Sequence, residues 1–277
     1  MLPFMTKEVM LDALLRGLLA EGWEVQQRAI PEDAASKRHL LRTLMNLRPS
    51  WPVRPELLEI QDLLLSSARA SAGAADTNQL PTIHQAFGHC DVPCQDQLVL
   101  WRGDITTLAA DAIVNAANSK LLGCFVPHHR CIDNAIHSAA GIQLRLECHE
   151  LMQRQGHDEP SGQAKITRGY NLPARHVLHT VGPIIHSDVV SAQDEDLLAS
   201  CYKACLDAAV SRQDIKTVAF CCISTGEFRF PKVLAAKTAI RSVCDWLGGS
   251  TTRLERIVFD VFTQEDYDVY ASVFRKD

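Results

Sequence analysis

The sequence predicts an α/β protein, with helices covering both faces of a central sheet and a small helical extension ahead of it. Two patterns carry this. From residue 97 onward short apolar runs alternate with helix-length stretches, and several runs are apolar on both faces, as strands buried between two helical layers must be. Before residue 80 the apolar residues recur at helical spacing.

Thr6 can cap a first helix, in which Leu11, Leu14, Leu15, Leu18 and Leu19 fall on one face. Ser36 is the expected cap of a second, bearing Leu40, Leu41, Leu44 and Met45. Pro55 suits the first turn of a third, where its missing N–H costs nothing, and Leu57, Ile60 and Leu64 share a face there. Residues 68–79 are small and polar, which predicts a linker. The expected division is therefore a helical extension with its linker, residues 1–80, and a main domain, residues 81–277. In that domain strands are expected at 98–101, 112–115, 176–181, 217–224 and 256–262, with helices near 134–155, 195–211, 231–247 and 264–275.

Composition narrows the partners. The 277 residues carry a net charge of −5 and no cluster of Lys and Arg, so no nucleic-acid partner is expected. No run of about 18 apolar residues is present, so no membrane partner is expected either. Ten cysteines occur in a long chain whose opening segment is interrupted by Lys7, Glu8, Asp12 and Arg16. Free or metal-bound thiols in a reducing, cytoplasmic setting are the expected reading, with a mitochondrial location left open.

In parallel sheets ligands bind where loops leave the carboxyl ends of strands, and the notable motifs lie at such places. Cys124, His129 and Cys131 fall within eight residues and can hold zinc by three protein bonds. Three ligands leave open the position that catalytic zinc sites keep for water or substrate. His128 rivals His129 as the third ligand. Asp133, two residues beyond Cys131, is placed to act as a base or to orient a ligand. Gly103-Asp104-Ile105-Thr106 alone is an ordinary turn with an Asx cap, and residues 114–119 an ordinary strand end with two amides. Residues 224–231 leave a strand and enter a helix, so their backbone N–H groups sit beside the positive end of a helix dipole. A diphosphate suits that place, although a plain helix cap has the same composition. Cys90 and Cys94 with His89 are expected to be free groups of a connecting segment, while Cys201, Cys205, Cys221 and Cys222 are expected in the core.

Taken in order, residues 103–106, 111–119, 133–141, 162–183 and 224–231 resemble the macrodomain family, from about residue 98 to the C-terminus. The resemblance implies a three-layer α/β/α macrodomain with a mixed central sheet and an ADP-ribose cleft at its top. Residues 122–133, in place of a glycine-rich loop, are similar to those of the zinc-dependent subclass, whose members carry a helical N-terminal extension and remove mono-ADP-ribose from proteins. The family pattern puts the zinc histidine two residues after Pro127, which selects His129 and leaves His128 expected to be exposed. Carried over by position, Asp104 accepts the adenine amino group, the Ile105 backbone helps hold the base and Phe262 stacks on it. Ser224, Thr225, Gly226, Glu227 and Phe228 wrap the diphosphate, with Thr225 and Gly226 as main N–H donors. Asn118 reaches the distal ribose, and Asp133 orients or deprotonates a water, so Asn118 and Asp133 are the expected catalytic pair. The implied cofactor is zinc (Zn2+). The implied partners are ADP-ribose, a mono-ADP-ribosylated protein such as a lipoyl carrier resembling glycine-cleavage H protein, and a sirtuin-type ADP-ribosyltransferase. A non-catalytic ADP-ribose reader with structural zinc and an O-acetyl-ADP-ribose deacetylase are the alternatives.

Overall fold

Thr6 does open a helix: its hydroxyl accepts the Val9 N–H at 3.3 Å at the start of α1 (Lys7–Leu19) in this computed structural model, which describes residues 5–23, 29–187, 189–249 and 252–275. The second helix, α2 (Ala34–Leu47), is capped by Asp33 and not by Ser36. The Asp33 carboxylate accepts from both Ala35 and Ser36 N–H at 3.0 and 2.9 Å, and a full negative charge at the positive helix end outcompetes a hydroxyl. Helix α3 (Pro55–Ala72) runs through the first part of the expected linker, because Ala and Ser tolerate a helix, and stops only before Gly73. Ala75–Asp76 (β1) then pairs in parallel with Leu108–Ala109 (β3), and a capping box between Thr82 and Gln85 opens the short α4 (Ile83–Phe87).

The main sheet has the order β2-β8-β7-β4-β6-β5. Its members are β2 (Leu98–Arg102), β4 (Ala112–Ala116), β5 (Ala164–Arg168), β6 (His176–Thr180), β7 (Thr217–Phe220) and β8 (Arg256–Val261). The five expected strands run parallel to one another, whereas β5, which the apolar pattern does not reveal, runs antiparallel to β6 and makes the sheet mixed. As an edge strand it is mostly half-buried and carries Lys165 and Arg168, which suits an edge that must not pair further. Strand β7 stops short of the expected end because the chain turns, with Ser224 in the left-handed region at φ 65°.

Helices flank this sheet on the expected pattern. α7 (Ala192–Val210), α8 (Lys232–Gly249) and α9 (Gln264–Phe274) lie side by side, while α5 (Ile132–Ala140) packs on β4 and α6 (Ile142–Gln155) on β5. The single helix expected near 134–155 is broken at Gly141, whose φ is +98° and where a Cβ would lie 2.6 Å from Gln61 Nε2. The helices of the extension pack on α5 and α6. Leu14, Leu15, Leu18, Leu40, Leu44 and Leu57 form a core of their own that closes on Ile142 of α6. No helix among the described residues is long and apolar enough to cross a membrane.

Candidate functional site

The loop between β4 and α5 brings one ligand atom each from Cys124, His129 and Cys131 within 4.8 Å of one another. Cys124 Sγ lies 3.6 Å from His129 Nδ1. Tetrahedral zinc, with bonds of about 2.3 Å to sulfur and about 2.0 Å to nitrogen, sets two such ligands roughly 3.6 Å apart. The donor set therefore fits zinc. The other ring nitrogen of His129, Nε2, faces Glu227 Oε1 at 3.4 Å, a carboxylate contact of the kind that fixes a metal-binding imidazole. The Glu227 side chain thus reaches the metal-ligand loop. Cys131 caps α5, its Sγ accepting from Asn134 N–H at 3.4 Å. Burial pushes this thiol up to about 12, with Cys124 and Asp133 adding to the shift, and a bound cation would draw the proton off. Gly123 makes the loop's approach possible, since at its φ of +79° a Cβ would meet His137 Cγ at 2.8 Å. His128 is not exposed as expected: it is half-buried, with its ring stacked on His39 at 3.6 Å.

Asp133 lies beside this loop and is 4% exposed. Its Oδ1 accepts from Asn115 Nδ2 at 2.8 Å and its Oδ2 from Asn118 Nδ2 at 3.3 Å. Asn118 also donates to the Gly123 carbonyl at 3.2 Å, so one amide ties the carboxylate to the start of the metal loop. Burial pushes the Asp133 carboxyl up to about 6, against the Asn115 hydrogen bond, the Arg145 charge and the Asn118 hydrogen bond, which pull it down. His137 Nε2 comes within 3.5 Å of Asp133 Oδ1, yet burial holds this imidazole far below its usual range. The pair is a contact with a neutral ring, not an ion pair.

Behind Asp133 lies a network that motif reading missed. Asn115 also contacts His179 Nδ1 at 3.2 Å, and His179 Nε2 meets Thr167 Oγ1 at 2.9 Å. The signals were polar residues inside apolar strands at 115 and 179, and a histidine four residues after Asp133 on one helix face. His137, Cys148 and His179 also cluster, all three buried, and the His179 ring is already engaged by Asn115 and Thr167. His89, Cys90 and Cys94 form no ligand group among the described residues, and Cys90 contacts Gln95.

The remaining expected residues line the same end of the sheet. Asp104 starts a 3-10 turn, its Oδ1 accepting from both Thr106 N–H and Thr106 Oγ1 at 2.9 and 2.7 Å, with Ile105 buried beneath. Gly103 N–H donates to the Val261 carbonyl at 3.1 Å, which sets the 75% exposed Phe262 next to this turn. Beyond β7, Arg229 and Phe230 N–H donate back to the Gly226 and Ser224 carbonyls. Among the described residues this leaves the N–H groups of Thr225, Gly226, Glu227 and Phe228 without a protein acceptor. Ser224 Oγ is buried without a partner and Gly182 packs on it, while the Phe228 carbonyl accepts from Ile185 N–H at 2.9 Å. The strand order lays these pieces in a line: Asp104 after β2, Phe262 after β8, residues 224–228 after β7, then Asn118 and the metal loop after β4. Three strand spacings make that line roughly 14 Å long.

Comparison with known proteins gives the family. A profile of the macro domain matches residues 114–239. The chain is 43% identical over 267 residues to a protein-ADP-ribose hydrolase of Staphylococcus aureus, covering 96% of either chain. It is 46% identical over 257 residues to a protein-ADP-ribose hydrolase of Treponema medium, covering 93% of this chain and 95% of that one. The crystal structure of the Trypanosoma brucei macrodomain in complex with ADP-ribose matches with a TM-score of 0.61 at 29% identity, over 84% of this chain and 94% of that one. The chain belongs to the macro domain family.

Proposed function

We propose that this chain is a zinc-dependent hydrolase that removes mono-ADP-ribose from modified proteins by cleaving at C1 of the distal ribose. The observation that carries the reading is the three-ligand Cys124, His129, Cys131 triangle standing beside Asp133 and Asn118 at one end of the cleft. The name of the S. aureus relative, a protein-ADP-ribose hydrolase, supports the reaction class. Zinc held there would supply a Lewis acid and a water of lowered pKa.

The chain's own residues do the rest. Asp104 and Phe262 take the adenine, the free N–H groups of residues 225–228 take the diphosphate, and Asn118 orients the distal ribose. Cleavage at C1 builds positive charge on the ribose ring, which the neighbouring Asp133 carboxylate stabilises. With its carboxyl at about 6, Asp133 is still mainly ionised near neutral pH and is a stronger base than an ordinary Asp. The substrate protein carried forward from the resemblance is a lipoyl carrier modified by a sirtuin-type ADP-ribosyltransferase.

Asp133→Ala tests the assignment of roles. Zinc content and calorimetric ADP-ribose affinity should stay near wild type, while release of label from acidic-side-chain and serine-linked ADP-ribosyl proteins falls by about 10²–10⁴-fold. Full turnover would remove Asp133 from the mechanism. Wild-type protein that binds ADP-ribose but releases no label is a reader, and one that turns over only O-acetyl-ADP-ribose is a deacetylase.

A further inference from the structure

We infer that helix α2 of the extension is part of the metal centre, with Thr43 and Asn46 as positioning residues for the Cys124, His129, Cys131 loop. The loop is held from outside its own ligand set. His128 sits in the left-handed region at φ 56°, a conformation that a non-glycine residue keeps only where its surroundings over-determine it. Those surroundings are α2. Asn46, 1% exposed, accepts the His128 N–H on Oδ1 at 3.1 Å and donates from Nδ2 to Ser138 Oγ at 3.0 Å. Thr43 Oγ1 donates to the His39 carbonyl at 3.1 Å, so its oxygen accepts from Nε2–H of His128 at 2.8 Å, while the His39 ring stacks on that imidazole.

Two further bridges fix the ends of the loop. Arg42 Nη2 donates to Asn134 Oδ1 at 3.0 Å, and Asn134 in turn donates to the Val126 carbonyl at 2.9 Å. Arg145 donates from Nε to the Leu122 carbonyl at 2.7 Å and from Nη1 to the Met45 and Arg48 carbonyls at the end of α2. His128 directly precedes the ligand His129, so its left-handed turn decides where that imidazole points. Without α2 the strained turn relaxes and the three ligand atoms separate. Supporting contacts around metal ligands are worth about 10–100-fold in affinity, although they never touch the ion.

The inference rests on the zinc reading above, and its test separates the two. Zinc affinity is measured by competition with a chromophoric chelator on the full chain, with the melting of the metal-free protein recorded in parallel. Thr43→Val and Asn46→Ala should weaken zinc by about 10-fold or more, and Thr43→Ser, which keeps the hydroxyl, should restore it. Arg69→Ala is the control: it breaks a contact between the same extension and the Asn171 and Leu172 carbonyls, at the Ala140 end of α5 and not the Cys131 end, and should leave zinc affinity within about twofold. Wild-type zinc affinity in Thr43→Val and Asn46→Ala would overturn the inference. So would an equal loss in Arg69→Ala, which would make the effect one of general stability. Wild-type protein that takes up no zinc would instead refute the zinc reading.

Discussion

Replacing Asn115 with Ala removes the shortest hydrogen bond to the buried Asp133, the 2.8 Å contact to Oδ1, and leaves that oxygen facing only the neutral His137 ring. A hydrogen bond to a charged group contributes about 1.5–3 kcal/mol. At about 2–4 °C per kcal/mol for a chain of this size, the melting temperature should fall by roughly 3–12 °C. The pH dependence is the sharper test. Asp133 is raised to about 6 in the fold, against about 4 when unfolded, so between these values the native state holds a proton that the unfolded chain has lost. Its contribution to stability therefore declines as pH rises from about 4 to about 6 and is flat above. Losing the Asn115 donor raises the carboxyl further and extends that decline upward. The melting deficit of Asn115→Ala against wild type, measured on chelated protein by scanning fluorimetry, should be larger at about pH 7.5 than at about pH 5. An equal deficit at both, or a larger one in acid, would refute the reasoning. So would an unchanged melting temperature.

Three other outcomes follow from the same geometry. Asp104→Ala should weaken ADP-ribose by about 10–100-fold in calorimetry while leaving turnover at saturation near wild type, because the residue stands at the far end of the cleft from Asp133. Gly141→Ala forces a side chain into φ +98° and against Gln61 Nε2, and urea unfolding should show a loss of at least about 1 kcal/mol. Asp214 is held well below the usual carboxylate range by the His176 hydrogen bond and then by Arg212. Stability from that depressed carboxyl is present above about pH 4 and lost as pH falls, so the melting gap between wild type and Asp214→Asn should close on acidification.

What could be read from sequence depended on how local the information is. The grouping of Cys124, His129 and Cys131 was legible because two thiols and an imidazole lie within eight residues, and the fold brings their candidate ligand atoms together. The main sheet's five strands other than β5, β2 at one edge included, were legible because their burial leaves an unbroken apolar run. Strand β5 was not, since half-burial at an edge admits Lys165 and Arg168 and erases the signal. Residues 68–72 resembled a linker by composition, yet Ala and Ser continue a helix when nothing breaks it before Gly73. The support for Asp133 was invisible because Asn115 and His179 lie 18 and 46 residues from it in sequence. Only the strand order brings them together. The same holds for His128: the family pattern implies an exposed residue there, whereas Thr43 and Asn46 reach it from more than 80 residues away.

Bound zinc and hydrolysis, measured together on the full chain before chelation, after chelation and after zinc is restored, decide whether turnover needs the metal. Protein-linked ADP-ribose should be released only by the zinc-loaded protein, and Cys124→Ala, His129→Ala and Cys131→Ala should each lose both metal and turnover. Folded, chelated protein that releases ADP-ribose at the full rate would contradict this.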